Sequence, residues 1–481
     1  MLVFHTNSKP QSPSRILNFS ILSGLVCIIY LVVSFVLVPN TKYIHFSASL
    51  QNLSSPTSLE HIVFGIASNE NSWLKRKEYV RLWWRPHIMR GCVFLEKMPP
   101  NKTIYHDDIT SLPPICISND TSSFRYTYRG GLRSAIRVAR VVVETVSLNH
   151  SNVRWYVFGD DDTIFFPENL VKTLSKYDDG LWYYIGTNSE SFMQNKFFSY
   201  DMAFGGAGFA ISYPLAKILA KIFDSCIQRY PHLYGSDGRI HACLTELGVS
   251  LTNEPGFHQM DIRGNMFGLL AAHPIKPLVS LHHIDATDAI FPKMTKEMAL
   301  EHLFEAAKVD SLRILQQTIC YDRWFSWTIS VSWGYVVQVI GHHVFLRDAL
   351  RKQESYLPWK RSGLSIFYDH DTAEFHPDPC RRPVVFFFDR LISSSSTTTD
   401  DDRRITSFYK MMTSENCTYD MASPRKLKEI RVHSKKLELD IKQLQAPRRQ
   451  CCDVLKSSDA GVMEVNIREC GNEELIYMHD P

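Results

Sequence analysis

The sequence predicts an α/β protein with a mostly parallel sheet, preceded by a membrane anchor and followed by a β-rich region. Between residues 60 and 290, apolar strand-like runs alternate with amphipathic helical patterns, and this requires crossover connections between parallel strands. Residues 320–390 are rich in aromatic residues and favour strands without that alternation. An uncharged run covers residues 16–38. These observations divide the chain into an α/β domain at 60–290 and a C-terminal region at 291–481.

The composition is that of a globular protein, with 44% hydrophobic and 21% charged residues among 481. Usage of this kind excludes global disorder. Basic and acidic residues number 53 and 50, and the formal net charge is +3. Because a nucleic-acid surface needs a concentrated basic stripe, we expect no nucleic-acid polymer as a partner.

The run at residues 16–38 would measure about 35 Å as a helix, enough to cross a hydrocarbon core of about 30 Å. A buried core helix would carry a wider polar stripe, and a cleaved signal peptide would have an apolar stretch of only about 7–15 residues. Lys9 and Arg15 precede the run, whereas only Lys42 follows it closely. The positive-inside bias therefore predicts a type II membrane protein, with a cytosolic tail at 1–15 and a stem at 39–59.

Two further counts favour a luminal body. Ten of the eleven cysteines follow the anchor, and ten can all pair in an oxidising lumen. Five sequons for N-glycosylation also follow it, at Asn52, Asn101, Asn119, Asn149 and Asn416. A single-pass membrane protein with a luminal body is the corresponding expectation.

The α/β domain opens with an apolar strand at 61–67, and its next strong strand is at 153–158. Between them, an amphipathic helix around residues 132–146 carries Arg137 and Arg140, which we expect on a solvated stripe. A sheet of this kind binds its ligands beyond the carboxyl ends of its strands. In the C-terminal region, residues 393–402 read as a low-complexity loop.

The strongest chemical signal is the triplet Asp160-Asp161-Asp162 directly after the strand at 153–158. Clustered carboxylates at a ligand-binding edge favour a hard cation such as Mg²⁺ or Mn²⁺. An identical triplet at residues 400–402 follows a Ser/Thr run instead of a strand, so the strand context distinguishes the first triplet. The alternative is an acidic cluster at a helix N-terminus, where the helix dipole favours negative charge.

Two more motifs follow in order: Phe204-Gly-Gly-Ala-Gly-Phe-Ala-Ile-Ser212, and Ser236-Asp237 opening a helix that ends at Leu247-Gly248. With the triplet, they make residues 61–285 resemble the fringe-related inverting β-1,3-glycosyltransferases, which have the GT-A fold. Together with Pro377-Asp-Pro-Cys380, the whole luminal chain resembles a plant fringe-like family of unsettled substrate. The resemblance implies a hexosyl- or N-acetylhexosaminyltransferase that uses a UDP-sugar, Mn²⁺ (or Mg²⁺) and a glycan or glycoprotein acceptor in the Golgi.

The resemblance also implies roles for single residues. Asp237 would be the general base, and we expect its place in a first helical turn to favour the charged form. Asp160 and Asp162 would hold the metal, with Asp161, Ser68 and Asp120 on the donor side. Three glycines would let the backbone approach the sugar: Gly205, Gly206 and Gly208. Asp120 belongs to the sequon of Asn119, and a glycan there conflicts with a donor-binding role.

A second metal ligand in this family is usually a histidine, but the Phe-His-Ser-His motif of fringe is absent. His258, His273 and the pair His282-His283 are the candidates. We prefer His273, because His273-Pro274 followed by His282-His283 resembles the core 1 galactosyltransferases. The missing motif leaves open a catalytically silent relative that acts as a glycan-binding or scaffold protein. A metal-dependent phosphohydrolase is a further alternative, but it would need additional carboxylates or histidines on neighbouring strand ends.

Overall fold

A computed structural model describes residues 28, 56–99, 110–359, 367–393, 404–412, 417–418 and 422–478. Several predicted features lie wholly or mostly outside these residues: the tail at 1–15, the anchor at 16–38, most of the stem at 39–59, Asn52, Asn101, Asn416 and the loop at 393–402. Among the helices of the described residues, none is long and apolar enough to cross a membrane. The chain divides into two units, Met1–Pro56 and Thr57–Pro481, and all that follows concerns the second.

The first part of this unit is built on a seven-stranded mixed sheet with the strand order β3-β2-β1-β4-β7-β6-β8. Its strands run in parallel except for β7, which is antiparallel to both β4 and β6. The predicted mostly parallel sheet is therefore confirmed. The strands of this sheet are β1 (Ile62–Ala67), β2 (Arg90–Leu95), β3 (Ile115–Ile117), β4 (Trp155–Asp160), β6 (Tyr184–Gly186), β7 (Phe209–Ser212) and β8 (Leu251–Asn253). The short strand β5 (Ile164–Phe165) lies outside it.

Both faces of this sheet are covered, as the unbroken apolar character of its central strands requires. In β1, Ile62, Phe64 and Ile66 join one hydrophobic core, whereas Val63 and Ala67 join a second core on the other face. The helices of this part are α1 (Glu70–Trp83), α2 (Ser134–Ser147), α3 (Pro167–Leu174), α4 (Phe192–Phe197), α5 (Tyr213–Ile227), α6 (Ser236–Glu246), α7 (Phe267–Ala271) and α8 (Lys296–Val309).

The arginines of α2 correct a prediction. Arg137 and Arg140 are 9% and 8% exposed and do not form a solvated stripe. Arg137 donates to the Ser68 carbonyl at 2.6 Å and so ties α2 to the end of β1. Arg140 pairs with Asp224 at 2.8 Å and with Glu144 at 3.3 Å. Amphipathic spacing locates the apolar face of a helix, but it does not show that another helix covers the polar face.

The C-terminal region contains an eight-stranded, mostly antiparallel sheet with the order β11-β12-β13-β17-β18-β19-β21-β20, which confirms the predicted β-rich character. One hydrophobic core includes Ile62 of the first sheet and Val432 of the second, while the predicted boundary at 290 stays a prediction. The remaining elements are β9 (Ile262–Gly264), β10 (Ser280–Leu281), β11 (Gln317–Asp322), β12 (Trp327–Ser332), β13 (Val336–Ile340), α9 (Leu346–Ala349), β14 (Lys352–Gln353), β15 (Tyr356–Pro358), β16 (Thr372–Ala373), β17 (Val384–Ser393), β18 (Arg404–Lys410), β19 (Glu429–Lys435), α10 (Ile441–Gln445), β20 (Cys451–Leu455) and β21 (Val462–Arg468).

All ten cysteines that follow the predicted anchor are paired, as the sequence allows. Three disulfides join β2 to β3, α5 to α6 and β11 to β20, and each of the other two involves at least one residue outside the strands and α-helices. They are Cys92–Cys116, Cys226–Cys243, Cys320–Cys452, Cys380–Cys417 and Cys451–Cys470.

Candidate functional site

The first acidic triplet lies at the carboxyl end of β4, in the middle of the first sheet. β4 pairs in parallel with β1, and Asp160 stands opposite Ala67, so both strands end at one edge. Ligands bind at this edge of open α/β sheets. Asp161 and Asp162 are each 2% exposed. Ser68, the residue after β1, donates its hydroxyl hydrogen bond to Asp161 Oδ2 at 2.6 Å, so Ser68 supports the triplet directly.

Arg76 of α1 is a member of this site that the sequence analysis does not reveal. Its guanidinium lies 3.1 Å from Asp161 and 3.2 Å from Asp162, and its Nε lies 2.8 Å from Asp285. Although burial acts to lower the pKa of Arg76, the adjacent carboxylates raise it. Buried carboxylates need such a partner to stay ionised. The sequence feature that could have pointed to Arg76 is its place in α1, the helix that starts at the same edge of the sheet where β1 ends.

His282 reaches the triplet through a short strand pair. β10 pairs antiparallel with β5, with Leu281 opposite Ile164, and β5 begins two residues after Asp162. The register therefore sets His282 beside the triplet, with its Nε2 3.2 Å from Asp162 and 4.0 Å from Asp160. Ligand atoms of these three residues all lie within 4.8 Å of one another.

Hydrogen bonding and charge define the state of this group. His282 Nδ1 donates to the Gln259 carbonyl at 3.1 Å, which leaves Nε2 directed at the carboxylates. Burial acts to lower the pKa of His282, but Asp162 and Asp160 raise it to about 9. Enclosure within the crevice, and then the neighbouring carboxylates, raise the pKa of Asp160 to about 7, although 38% of its side chain stays exposed. For Asp162, burial opposes ionisation, yet His282 and Arg76 lower its pKa.

The preference for His273 as second ligand needs correction. His273 is 1% exposed, its Nδ1 donates to the Pro274 carbonyl at 2.8 Å, and its Nε2 lies 2.9 Å from His258 Nε2. His258 in turn contacts Glu190 at 2.9 Å. We call Glu190, His258 and His273 the histidine cluster. The resemblance to the core 1 galactosyltransferases suggested His273, whereas the pairing of β10 with β5 brings His282 to the triplet.

Asp237 lies in the first turn of α6, as predicted, and lines the same crevice as Asp160. Ser236 donates its hydroxyl hydrogen bond to Asp237 Oδ1 at 3.0 Å. The expected electrostatic effect is wrong, however. Burial raises the pKa of Asp237 and outweighs hydrogen bonds from the Gly205 backbone and Ser236. The donors are the Gly205 backbone and the Ser236 hydroxyl, and the enclosed position of the carboxyl opposes ionisation more than these hydrogen bonds favour it.

The glycine motif makes room for the side chains of this site. A Cβ on Gly205 would lie 2.6 Å from Asp237 Oδ1, and one on Gly206 would lie 2.0 Å from His282 Cε1. Gly208 has a φ of 81°, and a Cβ there would lie 2.7 Å from the Phe165 ring. The approach of the motif to a sugar stays a prediction. The close packing against Asp237 and His282 shows why larger residues are excluded here.

Asp120 lies apart from this group of contacts. Its exposed carboxylate accepts hydrogen bonds from the backbone N–H (3.0 Å) and the hydroxyl of Ser122. The backbone N–H of the neighbouring Asn119 donates to Glu144 at 3.0 Å, and the Asn119 side chain is exposed. The competing predictions for this segment, donor binding and glycosylation, both stay predictions.

The fold and the site define an α/β protein with a candidate divalent-cation centre at the carboxyl edge of its first sheet. Residues 194–452, more than half of the chain, match the family described as "Protein of unknown function, DUF604". The chain belongs to this family. The matched residues include the glycine motif, Asp237, His282 and most of the second sheet. No curated protein is detectably similar to the chain.

Two solved structures show partial similarity. The apo form of mouse xyloside xylosyltransferase 1 has 10% identity and a TM-score of 0.26, over 39% of this chain and 81% of that chain. An active-site mutant of LgtC has 12% identity and a TM-score of 0.26, over 42% of this chain and 74% of that chain. TM-scores this low carry no argument about fold or function, so the site stands on its own geometry.

Proposed function

We propose that this protein is a metal-dependent, inverting glycosyltransferase that uses a nucleotide-sugar donor, with a UDP-sugar as the first choice. The observation that carries the proposal is the meeting of Asp160, Asp162 and His282 with Asp237 at one edge of the sheet. The order of the three sequence motifs, and their resemblance to the fringe-related enzymes, support the same reaction. The acceptor would be a glycan or a glycoprotein.

The donor set fits a divalent cation of the Mn²⁺ or Mg²⁺ type. Two carboxylates and one imidazole offer ligand atoms within 4.8 Å of one another, and Asp160 keeps 38% of its side chain exposed toward the crevice. An open face is what a cation needs if it also contacts substrate phosphates. When bound, the cation would neutralise negative charge that develops on the leaving diphosphate. Gln259 orients His282 for this role by accepting its Nδ1 hydrogen bond.

Asp237 is suited to act as the general base of the reaction. An inverting transfer needs a base that removes the proton of the acceptor hydroxyl as that hydroxyl attacks the sugar. A raised pKa makes Asp237 a stronger base than an ordinary surface carboxylate while it stays ionised above that pKa. Ser236 and the Gly205 backbone fix the carboxylate, so it needs little reorientation.

We also propose a Golgi location with type II topology, as the N-terminal sequence predicts. Five disulfides and the exposed sequon residues Asn119 and Asn149 support passage through an oxidising, glycosylating compartment. The catalytically silent alternative was favoured by the missing histidine motif. His282 now supplies a histidine beside the triplet, so that observation no longer favours it.

The test is a screen of UDP-sugars with the full-length protein in detergent, with UDP release measured with Mn²⁺ and after chelation. We expect Mn²⁺-dependent hydrolysis or transfer with at least one sugar. Asp162→Asn should abolish Mn²⁺-dependent UDP binding, whereas Asp401→Asn in the second triplet is the matched control and should have no effect. Equal and negligible effects of the two variants would contradict the proposed site. UDP binding without turnover for every sugar would favour the silent relative.

A further inference from the structure

The C-terminal region reaches the candidate site through the residue that follows β15. β15 pairs antiparallel with β9, with Leu357 opposite Arg263 and Pro358 opposite Ile262. This register brings Trp359 alongside the start of β9. The Arg263 Nε donates to the Trp359 carbonyl at 2.8 Å, and its guanidinium lies 4.6 Å from the centre of the indole. A hydrogen bond and a cation–π contact therefore fix the Trp359 position.

From Trp359, two ring contacts lead to the candidate cation ligands Asp160, Asp162 and His282. The indole is stacked on the His283 ring, with centroids 4.2 Å apart and an interplanar angle of 11°. The His283 ring lies 3.8 Å from the His282 ring at 33°. His282 Nε2 then faces Asp162 at 3.2 Å. A single row of contacts thus joins the second part of the chain to the cation ligands.

Two contacts restrain the His283 ring besides its neighbour His282: the Trp359 indole on its face and the Asp261 carboxylate at its edge. Its backbone is left-handed, with φ 55° and ψ 27°, which is unfavourable for a residue with a Cβ. Its Nδ1 lies 3.2 Å from Asp261 Oδ1, an ion-pair contact that also restrains the ring, although the alignment is poor for a hydrogen bond. Contact with the Trp359 indole is therefore a major restraint on the ring.

We propose that Trp359 is a positioning residue that holds the His282-His283 segment so that His282 Nε2 faces Asp160 and Asp162. The inference rests on the proposed function for its link to metal binding, but the positioning itself does not require a metal. The C-terminal region then contributes to the site, because Trp359 directly follows β15 and its indole contacts His283. Loss of the indole should release His283 and let His282 turn away from the carboxylates.

The experiment compares four variants of the full-length protein: Trp359→Ala, Trp359→Leu, Trp359→Phe and Trp324→Ala. Leu keeps bulk without a ring, Phe restores a ring that can stack, and Trp324 is a 68% exposed tryptophan in the turn between β11 and β12. Circular dichroism checks folding, and Trp359→Leu decides the outcome if Trp359→Ala does not fold. Two quantities are measured: Mn²⁺ affinity, and the rate at which diethyl pyrocarbonate modifies His282 in the metal-free protein, mapped by mass spectrometry with His273 as the buried reference.

We expect Trp359→Ala and Trp359→Leu to weaken Mn²⁺ binding by about tenfold, the low end of the effect of losing a supporting residue. His282 modification should accelerate several-fold in both while His273 stays protected. Trp359→Phe and Trp324→Ala should match the unaltered protein. If the unaltered protein binds no Mn²⁺, the proposed cation site fails, and the modification rates still decide the positioning role. Unchanged His282 modification in Trp359→Ala or Trp359→Leu would overturn it.

Discussion

Two pairs of histidines lie within 26 residues of one another in the sequence, and the polar groups that their rings contact are different. His282, in the pair His282-His283, faces Asp160 and Asp162. His258 and His273 face each other, with Glu190 at one end and a backbone carbonyl at the other. Both His273 and His282 are almost fully buried, so burial alone does not separate the proposed ligand from the histidine that contacts only its cluster.

The difference shows that the pairing of a neighbouring strand decides which charged groups a buried histidine faces. Asp162 and Asp160 raise the pKa of His282 to about 9 against the effect of burial, so positive charge is stabilised at that position. Burial, and then His258, lower the pKa of His273 well below its ordinary value, so the neutral form of the His273 ring is favoured. Where a proton is stabilised between carboxylates, a divalent cation can replace it.

The largest expected effect concerns Asp237. Its replacement tests whether the residues around His282 form an active site. Asp237→Asn should reduce sugar transfer by about 10²–10⁴-fold, the usual contribution of a positioned base. Donor binding should change little, because the amide keeps the size of the side chain. Initial rates and UDP affinity are the measurements, with the exposed Asp178→Asn as control. A normal rate in Asp237→Asn would remove its assignment as the base.

The next effect compares the two pairs directly. His282→Gln should weaken Mn²⁺ binding by about 100-fold. Loss of a residue that only supports a ligand costs about 10–100-fold, and this substitution removes the proposed ligand itself. His273→Gln should leave Mn²⁺ affinity unchanged, because His273 contacts His258 and a carbonyl instead of the carboxylates. Titration calorimetry on both variants makes the measurement. If His273→Gln produces the larger loss, the comparison is wrong.

The sequence predicted the fold class because apolar patterning is a local property. The strand before Asp160, the helix start at Asp237 and the β-rich second part all follow from runs of neighbouring residues, and all are present. The sequence named His282 as one of several candidate histidines without selecting it, and it did not reveal Arg76, because the place of each depends on pairing and packing. His282 is placed by the register of a two-residue strand, and Arg76 by the direction in which α1 packs against the sheet.

Two predictions from the sequence were wrong for the same reason. The spacing of α2 predicted a solvated face for Arg137 and Arg140, but α5 supplies Asp224 to cover part of it. The first-turn position of Asp237 predicted a favoured charge, but neighbours distant in sequence enclose the carboxyl and raise its pKa. Long-range packing decides both the exposure and the charge of a polar side chain, and a single sequence carries little information about it.

Gly206 offers a sharper test of how closely His282 is held. Gly206→Ala places a Cβ where the His282 ring now lies, so the ring must move and Mn²⁺ affinity should fall by about tenfold. Gly238→Ala is the matched control, because the nearest atom to its Cβ would be 3.8 Å away. We expect the control to bind Mn²⁺ normally and to be slightly more stable, as alanine favours a helix. Equal affinities for the two variants would show that His282 tolerates displacement.

The pH dependence of cation binding follows from the pKa values of His282 and Asp160. In the metal-free protein His282 is protonated below a pKa of about 9, and Mn²⁺ must displace that proton. Affinity should therefore rise with pH by up to about tenfold per unit until about pH 9, and more steeply below about pH 7, where Asp160 also binds a proton. Calorimetry in buffers of different ionisation enthalpy counts the released protons. A pH-independent affinity would contradict the ligand assignment.

The smallest expected effect on cation binding belongs to the histidine cluster. Two donors approach Glu190: the Met260 backbone N–H at 2.7 Å and the His258 Nδ1–H at 2.9 Å. The second must be protonated, because a carboxylate only accepts. A Gln side chain offers one acceptor oxygen, so its amide group must face the other donor and one hydrogen bond is lost.

Glu190→Gln should therefore lower the free energy of unfolding by about 1–3 kcal/mol, the cost of leaving a buried donor unsatisfied. Burial acts to raise the pKa of Glu190, but hydrogen bonds from His258 and the backbone lower it. This contribution to stability should thus be present above the ordinary pKa of a glutamate and fade as the pH falls through the lowered one. Urea unfolding midpoints provide the measurement, with the surface variant Glu78→Gln as a near-neutral control. Mn²⁺ affinity should not change. If Glu190→Gln weakens Mn²⁺ binding as much as His282→Gln does, the two histidine pairs form one coupled site, and the division between ligand and structural histidines fails.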